Sequence, residues 1–132
     1  MFSIEFVQKL TAKYLEPLLT LLESYNQTET RHNLLSMLAE KFPDNSFIHI
    51  HLAKFYSQNG RQDDAETEFE TAIKINPEEP SFYFYLISAC IQNSKLDKLA
   101  SIIEEIELRF SSNPEVISRV NMLKQKLAQF IS

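Results

Sequence analysis

The sequence predicts an all-α fold built from stacked helical hairpins. Within its segments the apolar residues recur every three or four positions, which is the spacing of one face of an α-helix. One glycine and five prolines in 132 residues leave few places for the tight turns of a many-stranded sheet. A fixed step of 34 residues is typical of a solenoid, whose units bury their apolar faces only by stacking. That step separates Pro43 from Pro77 and recurs in Leu18, Leu52 and Leu86; Leu35, Phe69 and Ile103; and Leu38, Ala72 and Ile106.

The first segment carries a helical stripe that a proline interrupts. Phe6, Leu10 and Tyr14 follow one another at steps of four. Pro17 lacks a backbone N–H and clashes with the preceding turn, so it cannot lie deep in a helix. We therefore expect either a short helix that ends near Tyr14 followed by a second one, or one long kinked helix. The repeat phase, which starts its first unit near Ala12, favours two helices.

Turn residues delimit the later helices. Asn45 can cap the helix that follows it, and Gly60 accepts the left-handed backbone that a helix end commonly needs. Pro80 fits the first turn of a helix, where its missing N–H costs nothing. The predicted helices cover residues 30–42, 47–58, 63–76, 80–92, 96–110 and 114 to about 130.

The middle unit, residues 46–79, resembles a tetratricopeptide repeat (TPR). The family pattern reads W-x₂-L-G-x₂-Y, then A-x₃-F, then a small residue and a closing proline. Small residues fit where two helices approach closely, and large ones fill the remaining gaps at close-packed density. This chain has His49-x₂-Leu52-Ala53-x₂-Tyr56, then Ala65-x₃-Phe69, Ala72 and Pro77.

The flanking units keep the phase but are degenerate. Arg31 in the first unit and Ile87, Leu99 and Ile106 in the third stand where small residues belong. The resemblance implies a right-handed α-solenoid of three TPR-like hairpins, with an N-terminal helix and a C-terminal capping helix. We expect a single domain, residues 1–132, with repeats at about 12–45, 46–79 and 80–113 and a capping helix at 114–131.

The resemblance also implies a concave groove lined by the first helix of each hairpin. We expect aromatic residues at its centre and basic groups at both ends. The alternative, that its aromatic residues pack beneath a terminal helix, stays open. The predicted peptide-binding residues are Phe47, His51, Lys54, Gln58, Phe84, Tyr85, Ser88, Gln92 and Arg119.

Two functions follow as hypotheses. The first is an adaptor that binds a peptide segment of another protein in this groove. The second is a structural module whose terminal helices form a homo-oligomer. The clamp with which some TPR proteins bind heat-shock chaperone tails is not matched, because its places hold Glu16, Thr20, His51, Ser81 and Tyr85.

Composition and charge exclude several classes of partner. A formal net charge of −5 disfavours nucleic acid, whose binders carry a basic patch. Seven of the acids fall between Arg61 and Pro80, where we expect a solvated outer helix face. No apolar run is long enough to cross a bilayer, so membrane insertion is not expected. Cys90, the only cysteine, allows no internal disulfide, and a cytoplasmic location is the default.

We expect neither a cofactor, nor a metal, nor catalysis. His49 and His51 are two residues apart, which places them on opposite sides of a helix, whereas a zinc site needs one shared face. His49 is interpreted as a packed substitute for the family's aromatic residue, and Cys90 as a small buried hydrophobic residue. An enzyme that uses His51 with Glu16 or Lys54 lacks a complete catalytic constellation.

Overall fold

The all-α prediction is confirmed. The computed structural model describes residues 12–23 and 28–131, and these residues contain no strand. Each predicted boundary from residue 30 onward lies within two residues of the observed one. The helices are α1 (Ala12–Glu23), α2 (Thr28–Lys41), α3 (Ser46–Gln58), α4 (Gln62–Ile75), α5 (Pro80–Gln92), α6 (Leu96–Arg109) and α7 (Pro114–Ile131). Within the described ranges, no helix combines the length and the apolar character that crossing a membrane requires.

Helix α1 accommodates the proline that was expected to delimit it. Pro17 is the sixth residue of α1, which begins at Ala12, where the repeat phase starts its first unit, and the helix continues through the proline. Little more than one turn of α1 precedes Pro17, so the missing N–H and the bulk of the ring affect the first part of the helix and not its middle. The separate N-terminal helix that the sequence predicts falls on residues 1–11, outside the described residues.

The chain divides into two compact units, one ending at Asn76 and the other beginning at Pro77. The first contains α1 to α4. Its α3 and α4 form the central hairpin, and Ala53, Ala65 and Ala72 are fully buried, as their small size at places of close approach predicts. A second set of buried residues joins α1, α2 and α3, and it consists of Leu15, Leu19, Leu34, Leu35, Leu38, Ile48, Leu52 and Phe55.

The second unit contains α5, α6 and α7, with α6 packed against both of the others. Leu86 and Val120 are buried, as is Leu52 at the matching place in the first unit, which confirms the repeat phase. Cys90 is also fully buried, as predicted. Pro80 and Pro114 are the first residues of α5 and α7, where a proline fits best.

The turn between α3 and α4 and the turn between α5 and α6 share one backbone geometry. Gly60 has φ 76° and Ser94, which is 34 residues later, has φ 57°. The N–H of Arg61 donates to the Tyr56 carbonyl at 2.8 Å, and the N–H of Lys95 donates to the Cys90 carbonyl at 2.9 Å. This bond closes a helix end through one left-handed residue. The 34-residue repeat is therefore present in the backbone conformation as well as in the amino-acid sequence.

The acidic run of α4 departs from the solvated face that was expected. Asp63 and Asp64 are exposed, but Glu66 is only 2% exposed and Glu68 is half-buried. Glu66 stands three residues before the buried Phe69, so it belongs to the inward stripe of the helix. The expectation is wrong for Glu66, because the number of acidic residues in a segment does not show which of them lie on the buried side of the helix.

His49 occupies the place of the family's aromatic residue, and its role there is polar. Its Nδ1 lies 3.1 Å from Oε1 of Glu68 in α4, and its Nε2 lies 3.1 Å from the carbonyl oxygen of Pro43. The hydrogen bond to Glu68, followed by the Pro43 carbonyl and the negative charge of Glu68, raises the pKa of His49, although burial opposes the rise. His49 thus ties the turn before α3 to α4.

Candidate functional site

The second unit carries an open groove between α5 and α7. It consists of two adjoining cavities of about 370 Å³ and 290 Å³, which share Phe84, Ser88 and Arg119. We call it the α5–α7 groove. Its described lining comprises Ser81, Phe84, Tyr85, Ile87, Ser88 and Ile91 of α5 and Arg119, Met122, Leu123 and Lys126 of α7.

The helical period explains why these residues share the groove. On α5 the stripe Ser81, Phe84 and Ser88 advances by three and four residues, so it stays on one side of the helix. The opposite side of α5 is buried. On α7 the residues Arg119 and Met122 are exposed, while Val116 and Val120 are turned inward. The packing of α6 against both helices holds α5 and α7 side by side.

Arg119 and Phe84 bridge the two helices. The guanidinium carbon of Arg119 lies 3.9 Å from the centroid of the Phe84 ring. A guanidinium over an aromatic face is attracted by the ring's quadrupole, and its N–H groups still point outward in the plane of the group. The stack therefore fixes a cation at the centre of the groove without using its hydrogen-bond donors.

Apolar surface continues from this stack toward the C-terminal end of α5. Ile91 is 44% exposed and Met122 is 57% exposed, and Ile87 and Leu123 lie beside them. Lys126 adds a second cation at that end. Among the described residues that line the groove, none is acidic. The groove thus offers an apolar floor between two positive charges.

The chain matches no protein-family model and none of the curated proteins. Comparison with solved structures does give matches. The type III secretion chaperone SycD of Yersinia enterocolitica, solved with a peptide of the translocator YopD, has a TM-score of 0.72 at 18% identity, over 94% of this chain and 99% of that chain. The chaperone-binding region of PopD is present in the structure of PcrH, which has a TM-score of 0.72 at 15% identity, over 94% of this chain and 98% of that chain.

A third similar structure is the first TPR of Spaghetti (RPAP3), solved with the HSP90 peptide SRMEEVD. It has a TM-score of 0.66 at 16% identity and covers 90% of this chain and 99% of that chain. At these identities the likeness is one of fold. This chain has the tetratricopeptide-repeat fold. The resemblance first drawn from residues 46–79 is thereby confirmed at the level of structure.

In this TPR fold, four of the nine predicted site residues meet in the α5–α7 groove. They are Phe84, Tyr85, Ser88 and Arg119, and the structure brings them together from two helices. Phe84 and Tyr85 are half-buried, so each ring keeps part of its surface exposed. Gln92 is exposed at the end of α5 but does not line either cavity.

The other four predicted residues lie on α3, in the first unit. Phe47 is 41% exposed and Lys54 is half-buried. His51 is largely buried, which leaves little of its side chain for a partner to contact. The side-chain oxygen of Gln58 accepts a hydrogen bond from Nη1 of Arg31 at 2.9 Å. A binding role for these four residues stays a prediction.

Sequence reasoning did not include Ile87, Ile91 and Leu123 in the site. Ile91 follows Ser88 by three residues and Ile87 follows Phe84 by three, so a helical projection of α5 would have found both. The stack of Arg119 on Phe84 could not be predicted, because residue phase gives the face of a helix and not the conformation of a side chain. In the described part of the chain, no cluster of three His, Cys, Asp or Glu residues could hold a metal.

Proposed function

We propose that this chain is an adaptor that binds a peptide segment of a partner protein in the α5–α7 groove. The observation that carries the proposal is an open groove with exposed apolar residues on both of its helices and an aromatic-stacked cation at its centre. Apolar surface rimmed by polar groups is characteristic of interaction sites. Arginine and aromatic residues are common anchors in protein interfaces.

Structures of the same fold support a peptide as the ligand. SycD is seen with a peptide of YopD, PcrH with the chaperone-binding region of PopD, and the Spaghetti repeat with an HSP90 peptide. Each of these partners is a segment of another protein. We propose that the α5–α7 groove of this chain also binds a segment of another protein.

The proposal includes the absence of catalysis. Among the described residues of the groove there is no histidine, aspartate, glutamate or cysteine. The Ser81 hydroxyl donates to Oε1 of Glu79 at 2.8 Å, but no described residue of the groove supplies the imidazole that would complete a nucleophilic serine.

A bulky side chain at Ser88 tests the proposal. Ser88 is exposed and lines both cavities, so Ser88→Trp fills the groove and leaves the core intact. Ser101→Trp is the matched control, because Ser101 is exposed on α6 and outside the groove. Equal thermal stability of the two variants would show that both are folded.

A random peptide library displayed on phage is panned against the wild type, and the selected peptides are then titrated against both variants. We expect peptides that bind the wild type and Ser101→Trp equally and that lose at least about tenfold in affinity for Ser88→Trp, since blocking an anchor costs roughly 1.4 kcal/mol or more. Equal binding to Ser88→Trp would place the site elsewhere on the molecule.

A further inference from the structure

We infer that the α5–α7 groove selects peptide segments in which an apolar side chain stands between two carboxylates. The inference rests on the proposed function and adds the chemistry of the ligand. It is based on two observations in the second unit. Some of its cations form ion pairs with glutamates, whereas the two that line the groove do not pair within the described residues. The surface between these two cations is apolar.

Two cations outside the groove, Lys124 and Arg109, pair with glutamates. Nζ of Lys124 lies 2.9 Å from Glu107, and the guanidinium of Arg109 lies 3.2 Å from Glu78 and 3.8 Å from Glu105. These contacts tie α7 to α6 and α6 to the turn before α5. Lys124 and Arg109 are therefore already occupied in the folded chain.

The two groove cations differ in this respect. Arg119 contacts the face of Phe84, and within the described residues neither Arg119 nor Lys126 forms an ion pair. Both are exposed. The in-plane N–H groups of a stacked guanidinium match the two oxygens of a carboxylate. An acidic ligand would thus meet two unpaired cations on one face of α7.

The spacing of the cations sets the spacing of the acids. Arg119 and Lys126 are seven residues apart on α7, which corresponds to about 10.5 Å along the helix axis. A peptide in the polyproline II conformation rises about 3.1 Å per residue and makes one turn in three residues, so three residues cover nearly that distance and bring side chains i and i+3 to the same side. Two acidic residues separated by two others would therefore reach both cations.

The surface between the cations is apolar and adaptable. Met122 stands between Arg119 and Lys126 on α7, and Ile91 faces it from α5. Methionine is unbranched and fits side chains of different shape. A leucine, isoleucine or phenylalanine placed between the two acids would cover this surface. Nucleic acid is a poor alternative, because it offers no such apolar side chain and the chain carries a net charge of −5.

The peptides selected in the panning experiment test this inference separately from the proposed function. We expect their sequences to be enriched in an acidic residue, two further residues of which one is apolar, and a second acidic residue, relative to the unselected library. Groove-dependent peptides that are neutral or basic would overturn the inference and leave peptide binding intact. Absence of any groove-dependent peptide would overturn the proposed function itself.

A charge-neutral variant gives the second readout. Arg119→Gln with Lys126→Gln should weaken binding of the selected peptides by about three- to tenfold, because each exposed ion pair contributes only modestly to affinity. The wild-type affinity should fall as salt is raised, while that of the variant should change little. A control variant, Lys124→Gln, removes a cation outside the groove and should bind as the wild type does.

Equal affinity and equal salt dependence of the wild type and the double variant would overturn the inference. Analytical ultracentrifugation of the wild type tests whether a second copy of the chain, and not a peptide of another protein, occupies the α5–α7 groove. Self-association that Ser88→Trp abolishes and Ser101→Trp preserves would show a copy in the groove and would also overturn the inference.

Discussion

At the scale of single residues, the two polar contacts of His49 favour its protonated form. The Pro43 carbonyl and the Glu68 carboxylate are both acceptors, so each ring nitrogen has to donate a hydrogen. The imidazolium form of His49 donates to both acceptors at once. The raised pKa of His49, caused first by the hydrogen bond to Glu68, agrees with that geometry.

This contact predicts a pH dependence of stability. The folded-state pKa of His49 lies above the ordinary value of 6.5, so protonation favours the folded state. The stabilisation is complete below 6.5, where the unfolded chain is protonated too, and it is lost as the pH rises through the raised folded-state value. We expect Glu68→Gln to lower the free energy of unfolding by about 1 kcal/mol at acidic pH, and by less at alkaline pH.

Urea unfolding of the wild type and Glu68→Gln, from about pH 6 to about pH 9, measures this difference. Other titrating groups affect both proteins alike and cancel in the comparison. A difference that stays constant or grows with pH would show that His49 is not charged in the folded chain.

Arg31 is a second residue whose surroundings determine how it affects the free energy of unfolding. It is 6% exposed, and its Nε and Nη2 have no hydrogen-bond partner in the described part of the chain. Its remaining contacts are the hydrogen bond to Gln58 and the Phe55 ring, whose centroid lies 5.5 Å away. The equivalent place 68 residues later holds the buried, apolar Leu99.

We therefore expect Arg31→Met to raise the free energy of unfolding by about 1 kcal/mol, because it removes two buried and unsatisfied donors while keeping the volume. Gln58 is exposed and can bond to water instead. Arg31→Ala should lower the free energy of unfolding, because it leaves a cavity. Denaturant titration checks both variants. A loss of stability in Arg31→Met would show that the guanidinium contributes more than its desolvation costs.

Residues of this kind mark where prediction from sequence stops. The repeat phase predicted that Ala53, Cys90 and Val120 would be buried, and they are. It did not predict the contact between His49 and Glu68, which are nineteen residues apart on different helices. Phase assigns each residue to a face, whereas a polar pair depends on which side chains of two neighbouring faces meet.

At the scale of elements, the helix ends show how the repeat tolerates substitution. Gly60 and Ser94 close equivalent helices with a left-handed residue. A Cβ built at Gly60 meets nothing within 4 Å, so a side chain there would be limited by backbone strain alone. Ser94 already carries that strain, because left-handed backbone is unfavourable for residues with a side chain.

Ser94→Gly should therefore raise the free energy of unfolding by about 0.5 to 1 kcal/mol, and Gly60→Ser should lower it by about 1 kcal/mol. The two substitutions exchange the residues of equivalent turns and serve as controls for each other. Thermal unfolding measures both. Destabilisation by Ser94→Gly would mean that the serine side chain stabilises the turn by more than the strain costs.

The helix boundaries could be predicted from the sequence because capping residues, prolines and the apolar period indicated the same positions. Asn45 caps α3 by accepting hydrogen bonds from the backbone N–H groups of Phe47 and Ile48, and Asn113 accepts one from Val116. Pro80 opens α5. At the other end, α1 begins at Ala12, where the repeat phase starts its first unit, and it contains Pro17.

At the scale of the whole molecule, the sequence predicted that the site is a groove on the inner helices, but it did not predict all the residues that line the groove or how they are paired. The resemblance to TPR proteins indicated the inner helices, and the structure brings Phe84, Tyr85, Ser88 and Arg119 into one groove of the second unit. Whether a cation of the second unit pairs within residues 12–23 and 28–131 depends on where the glutamates lie, and Arg119 and Lys126 form no ion pair there. No count of charges could separate these two cations from Arg109 and Lys124.

The measurement that tests the central claim most directly is an NMR titration of the ¹⁵N-labelled chain with a peptide selected by panning. We predict that the amide shifts change along the groove side of α5 and α7, at Ser81, Tyr85, Ser88, Arg119 and Met122. The exposed face of α6, at Ala100 and Ser101, should not respond. Shifts confined to α6 or to the acidic face of α4 would contradict a ligand site between α5 and α7.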